Sequence, residues 1–234
     1  MEGAILFNGI DKDPRLMRYA GYCEQQDLHN DTATVREAVE LSARCRLPPS
    51  WSLERRSLKV EETLRKTRLE EVQGLLVSEL RMEQRKRLTV AVELVTNPAV
   101  LFLDEPTSGL DASEAASLMR IIGEEARRGM AVCCTIHQPS AQIYSHFTHM
   151  LLMRSGGRVI YFGETGESMM DYLRDNLDMV MEEHDNPADF ALVAASPLPG
   201  SGPDPAEYVF LHCSYPCPLS LSPSLSQPLT LSKD

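Results

Sequence analysis

A chain of 234 residues, 43 % hydrophobic with a formal net charge of −11, can bury one sizeable core; its acidic balance argues against a nucleic-acid binder, which would show a basic surface. A single phosphate-binding pocket stays compatible with that charge, because net charge says little about one site. No apolar stretch approaches the ~20 residues needed to cross a bilayer, and MEGAILFNGIDKD has no basic region followed by an apolar run, so neither a span nor a signal peptide is expected.

In chain order, AILF followed by Asn8-Gly9 reads as a strand entering a tight turn. Thr34-Val35-Arg36-Glu37 has capping-box spacing, so a helix should start there and run through AVELSA. Residues 53–72 read as one charged, solvated helix with Leu53, Leu64, Leu69 and Val72 as its apolar stripe. In MEQRKRLTVAVELVT, Leu88, Val92 and Val95 recur at helical spacing, and Asn97-Pro98 ends the pattern. AVLFLDE is a continuous apolar run, the mark of a strand covered on both faces. Over residues 113–128, Leu118, Ile121, Ile122 and Ala126 share one helical face, closed by Arg127-Arg128-Gly129. MAVCCTIH, HMLLM and RVIYFG read as further strands. Strands and helices joined by short links predict an α/β fold with a parallel core sheet.

Composition shifts near residue 196. The last 39 residues contain 8 Pro, 8 Ser and one basic residue, Lys233, so a disordered tail is expected over 196–234. The six cysteines form no CxxC pair and read as reduced, buried thiols of a cytosolic domain. His146 and His149, three apart, lack partners of metal-site spacing and read as surface or packing residues.

The chemistry concentrates in LFLDEPTSGLD, residues 101–111. A buried strand has no packing reason to end in two carboxylates. At the C-terminal edge of an open α/β sheet, where ligands sit, Asp104 can hold Mg²⁺ and Glu105 can orient or deprotonate an attacking water. Pro106 stiffens the following turn, Gly109 permits a backbone excursion, and Asp111 can cap the next helix. Taken alone, an acidic pair after a core strand is more often a plain loop. The longer string closely resembles the Walker B motif and D-loop of ABC-type ATPases. Gly21-Tyr22-Cys23-Glu24-Gln25 resembles the Q-loop, and Thr135-Ile136-His137-Gln138-Pro139-Ser140 resembles the switch loop. EQRKRLTVAVEL resembles the helix after the signature loop. IHQPSA, VIYFGETG and Asn186-Pro187-Ala188-Asp189-Phe190 narrow the resemblance to the pleiotropic drug resistance branch of the G subfamily.

That resemblance covers residues 3–195. It implies a partial P-loop NTPase of the ABC ATPase kind over 1–195, with a helical subdomain at about 33–97. The cofactors implied are ATP and Mg²⁺. Glu105 and His137 would be catalytic, His137 at the γ-phosphate. Gln25 and Asp104 would hold Mg²⁺, with Gln25 also sensing the attacking water. Ser108 and Asp111 would contact nucleotide and partner across a dimer interface. The implied function is ATP hydrolysis coupled to export of a lipid, sterol or drug-like molecule. The implied partners are a second nucleotide-binding domain and transmembrane domains at a membrane's cytoplasmic face.

Two departures stand out. The loop GxxxxGK[ST], which supplies a cradle of backbone amides and a phosphate-binding lysine, occurs nowhere in these residues and is expected upstream of residue 1. Without it, these residues alone are expected to hydrolyse little or no ATP. The strand lost with it should also leave a central strand unpaired. Second, the signature loop aligns with Leu80-Arg81-Met82-Glu83-Gln84, in which the family's serine and glycines are replaced. Met82 should obstruct a phosphate, and Glu83 should place a negative charge beside it. A degenerate signature beside an intact Glu105 and His137 fits the second of two nucleotide-binding domains. Two other readings compete. A catalytically inactive remnant is favoured by the absent loop. A soluble ABC ATPase acting on nucleic acid or ribosomes is disfavoured by the G-subfamily strings and the acidic charge.

Overall fold

The structure, a computed structural model, describes residues 6–7, 10–11, 16–136, 139–154, 158–177, 186–188, 190–191 and 207–212. Strands β1 (Leu6–Phe7) and β2 (Ile10–Asp11) pair antiparallel; the expected turn residues Asn8 and Gly9 lie outside the described residues. A 3-10 turn at Leu16–Tyr19 leads into β3 (Ala20–Cys23).

Three helices follow. Thr34 caps α1 (Val35–Arg46) in a complete capping box with Glu37, as its sequence predicts. Ser52 caps α2 (Leu53–Lys66). This helix ends at Lys66, six residues before the expected end, with Thr67 as its C-cap, and Arg68 turns the chain at φ 56°. The turn carries Leu69 into the core at 0 % exposure, while Leu53 is 79 % exposed and Val60 takes its place in the apolar stripe. Helix α3 (Met82–Leu94) buries Leu88, and the chain leaves it through Asn97 at φ 52° before Pro98.

Strand β4 (Val100–Leu103), helix α4 (Ala112–Arg127) and strand β5 (Ala131–Thr135) form the predicted strand–helix–strand unit. All four predicted face residues of α4, Leu118, Ile121, Ile122 and Ala126, are buried, and Gly129 at φ 108° ends it. A short α5 (Ala141–Tyr144) precedes strands β6 (His149–Arg154) and β7 (Arg158–Glu164), helix α6 (Glu167–Leu177) and strand β8 (Glu207–His212).

The main sheet has the order β3-β4-β5-β8-β6-β7. β3, β4 and β5 are parallel, aligning Cys23, Leu103 and Cys134 in one row and Tyr22, Phe102 and Cys133 in the next. The first row is buried. In the second, Phe102 is 37 % and Tyr22 55 % exposed, so among the described residues β4 is covered on one face, not both. The apolar run follows strand propensity as well as burial, so it does not by itself count covered faces.

The expected parallel core sheet is formed by β3, β4 and β5, and the other half of the sheet is antiparallel. β6 and β7 are joined by only three residues, too short for a parallel crossover. β8 lies antiparallel to both β5 and β6. It belongs to the Pro/Ser-rich stretch, where no strand was expected. The Tyr-Val-Phe-Leu run at 208–211 has high β propensity, hidden by the average composition around it.

Two apolar cores result. One joins β3–β6 to α4 through Leu101, Leu118, Ile122 and Met150. The other joins α1, α2 and α3 through Val39, Leu64, Leu69 and Leu88. Each fully buried Leu or Ile contributes about 1.5–3 kcal/mol. α3 approaches β3 closely at Gly21, where a Cβ would lie 2.9 Å from Leu101 Cδ1 and 3.1 Å from Glu93 Oε2.

Candidate nucleotide site at the strand ends

The three parallel strands end at one edge of the sheet. Asp104 extends the ladder by one bond, its N–H donating to the Cys23 carbonyl at 2.9 Å. Its carboxylate is then fixed from two strands. Thr135 Oγ1 donates to Asp104 Oδ1 at 2.8 Å, and Tyr22 Oη reaches Oδ2 at 3.4 Å. The nearby Asp104 charge holds the Tyr22 phenol above its ordinary pKa, with burial and Glu24 adding to the shift.

Glu105 turns away from the strand at φ 43°, in the left-handed region unusual for a side chain larger than glycine. Its N–H donates to Thr135 Oγ1 at 2.9 Å. Its Oε2 accepts from Gln25 Nε2 at 2.7 Å, although 80 positions separate the two in sequence. Gln25, Asp104 and Glu105 are therefore brought together, with Thr135 Oγ1 linking the Asp104 carboxylate to the Glu105 backbone N–H. Thr135 was missed as a site residue because its value lies in register: it follows Cys134, the residue aligned with Leu103 just before Asp104. His137 lies outside the described residues.

Ser108 and Asp111 sit differently. Ser108 N–H donates to the Glu105 carbonyl at 3.0 Å, a backbone turn. The Asp111 carboxylate caps α4, accepting from Ser113 N and Glu114 N at 2.8 Å each.

The signature-like residues lead into a helix: Leu80 and Arg81 precede α3, and Met82, Glu83 and Gln84 form its first turn. Leu80 is 7 % exposed, Arg81 is the N-cap of α3, and Gln84 Oε1 accepts from Arg81 N at 3.0 Å. Met82 is 53 % exposed, as an obstruction would require. Glu83 is only 6 % exposed and forms an ion pair with Arg87, whose Nη2 donates to Ser117 Oγ at 3.2 Å. It does not present the outward negative charge expected of it. Successive helical residues are rotated by about 100°, so one neighbour faces out and the next faces in.

Among the described cysteines, Cys23 and Cys134 are buried, Cys133 is half-buried and Cys45 is exposed, against the expectation that all are buried; none is in a disulfide. Burial pushes the Cys133 thiol up to about 11. Asn186 Nδ2 donates to the Pro139 carbonyl at 3.0 Å.

A solved ABC transporter component from Clostridium perfringens, cbiO1, superimposes with a TM-score of 0.61 over 76 % of this chain and 74 % of that one, at 23 % identity. An ATP-binding cassette dimer in a post-hydrolysis state, bound to ADP and Pi, superimposes with a TM-score of 0.58 over 70 % and 74 %, at 21 % identity. The fold is thus that of an ABC ATPase. The family model described as "ABC transporter" matches residues 1–108. The chain is 44 % identical over 207 residues to "Pleiotropic ABC efflux transporter of multiple drugs" from Saccharomyces cerevisiae, covering 85 % of this chain and 14 % of that protein. It is 42 % identical over 208 residues to "ABC transporter G family member 40" from Oryza sativa, covering 85 % and 14 %. The chain belongs to the ABC transporter family, on the side of its G-family, pleiotropic-drug relatives, and spans about 14 % of their length. That family is one of ATP-binding ATPases. Among the described residues, no helix is long and apolar enough to cross a membrane.

Proposed function

We propose that this chain is the Mg²⁺-ATP-hydrolysing part of an ABC exporter's nucleotide-binding domain, the second of two. One observation carries the reading: the 2.7 Å bond from Gln25 Nε2 to Glu105 beside an Asp104 held by Thr135. Asp104 and the Gln25 amide oxygen fit a Mg²⁺ ion, which takes one or two protein oxygens and otherwise keeps water and phosphate. Bound there, Mg²⁺ would neutralise charge on the phosphates. Glu105 orients the attacking water and takes up its proton, and Gln25 keeps that carboxylate aimed. His137 stabilises the γ-phosphate, and Ser108 and Asp111 meet a second nucleotide-binding domain. The ADP- and Pi-bound cassette dimer, one of the solved neighbours, supports such a partner. Closure of two domains on ATP drives attached transmembrane domains, and the site faces the cytoplasm. The substrate class is lipid, sterol or drug-like, and the yeast relative's printed name, an efflux transporter of multiple drugs, supports the last of these.

Residues 1–234 do not include GxxxxGK[ST], so by themselves they hydrolyse little or no ATP. Binding of a fluorescent ATP analogue with Mg²⁺ tests the site. The chain should bind it weakly, and Asp104→Asn should abolish the Mg²⁺ dependence. Binding that ignores both Mg²⁺ and Asp104 would refute the reading. Full turnover by the purified chain would refute the need for the missing loop.

A further inference from the structure

Gln25 lies two residues beyond β3, where the strand ladder no longer holds it. The segment it opens is fastened instead to one face of α3. Lys86 Nζ donates to the Gln25 carbonyl at 2.6 Å and lies 3.3 Å from Asp27 Oδ2, with side-chain exposures of 7 % for Lys86 and 9 % for Asp27. Thr89 Oγ1 donates to Asp27 Oδ1 at 2.6 Å and sits 2.8 Å from His29 Nε2. Arg85 pairs with Asp31 at 3.0 Å.

A buried lysine–carboxylate pair alone says little beyond packing. Here the ammonium also grips the main chain of the residue whose side chain reaches Glu105. A displacement of about 1 Å at that carbonyl would carry the Gln25 amide out of hydrogen-bond range of the carboxylate. The same helix begins at the signature-like turn, so its position and the aim of Gln25 are set together.

We propose that Lys86 is a positioning residue: by clamping the Gln25 carbonyl to α3, it holds the Gln25 amide on Glu105 and ties the signature-bearing helix to the hydrolytic carboxylate. The role in hydrolysis rests on the ATPase reading; the clamp itself does not.

The test is NMR of the Gln25 side-chain amide in the 234-residue chain, assigned by its disappearance in Gln25→Ala, together with hydrogen exchange over residues 24–30. In the native chain the amide protons should lie away from free-glutamine positions. Lys86→Met should move them to those positions and speed exchange across the segment by about tenfold or more, the loss of one charge-assisted bond. Lys86→Arg should restore both. Leaving Asp27 buried without its cation is destabilising. The double variant Lys86→Met/Asp27→Asn, with both charges gone, is therefore measured alongside and carries the same expectation. Unchanged Gln25 signals in a folded variant lacking Lys86 would overturn the proposal, as would Lys86→Arg behaving like Lys86→Met. ATP-analogue binding on the same samples reports separately: no binding by the native chain sinks the ATPase reading while the Gln25 signals still decide on Lys86.

Discussion

Glu105 combines a hydrogen-bonded carboxylate with a backbone at φ 43°, a conformation that costs an L-residue about 1–2 kcal/mol relative to glycine. Glu105→Gly and Glu105→Ala both remove the carboxylate, but only glycine removes the strain. Urea unfolding should find the glycine variant more stable than the alanine variant by about 1 kcal/mol. Equal stabilities would mean the backbone relaxes at no cost. His29 offers a second residue-level handle. Burial holds its imidazole below the ordinary value of 6.5, against the pull of Asp27 and Asp31. The unfolded chain therefore takes up a proton near pH 6.5 that the folded chain still refuses. The stability present above that pH is lost as pH falls toward the lower folded value. Melting temperature followed downward from neutral pH should decline in the native chain and decline less in His29→Gln. Asp104 and Glu105 were legible in sequence because two acids after a buried strand have no packing rationale. Thr135 and Lys86 were not, since one depends on strand register and the other on how α3 lies against the Gln25 segment.

At the scale of elements, local chemistry read well and long-range pairing did not. The capping box of α1 is confined to residues 34–37, with Thr34 N–H donating to Glu37 Oε2 at 2.8 Å and Glu37 N–H to Thr34 Oγ1 at 3.2 Å. Thr34→Ala should cost about 1 kcal/mol in urea unfolding, and a loss near zero would show that tertiary packing alone holds the helix start. The end of α2 carried no such signal: the left-handed residue that stops it is Arg68, where a glycine or asparagine would have marked the turn. β3 was overlooked because Ala20-Gly21-Tyr22-Cys23 is short and contains glycine; pairing with β4 makes it a strand.

For the whole molecule, the unexpected feature is β8. β5 and β6 run in the same direction, and the strand between them opposes both. The sequence pointed to an unpaired central strand, and the structure places Glu207–His212 at an interior position of the sheet. A chain ending at residue 206 should expose the backbones of β5 and β6 and raise their hydrogen exchange, leaving β3 and β4 protected. Unchanged protection of β5 and β6 would show that β8 contributes nothing to the sheet.

The central claim of the proposed function is that Glu105 acts on water at a Mg²⁺-bound triphosphate. It is tested most directly by ATP hydrolysis in a chimera where residues 1–195 replace the matching stretch of the yeast relative, of which this chain covers 14 %. The account predicts turnover by the chimera and a loss of about 10²-fold or more on Glu105→Gln. Equal rates with glutamate and glutamine at position 105 would contradict it.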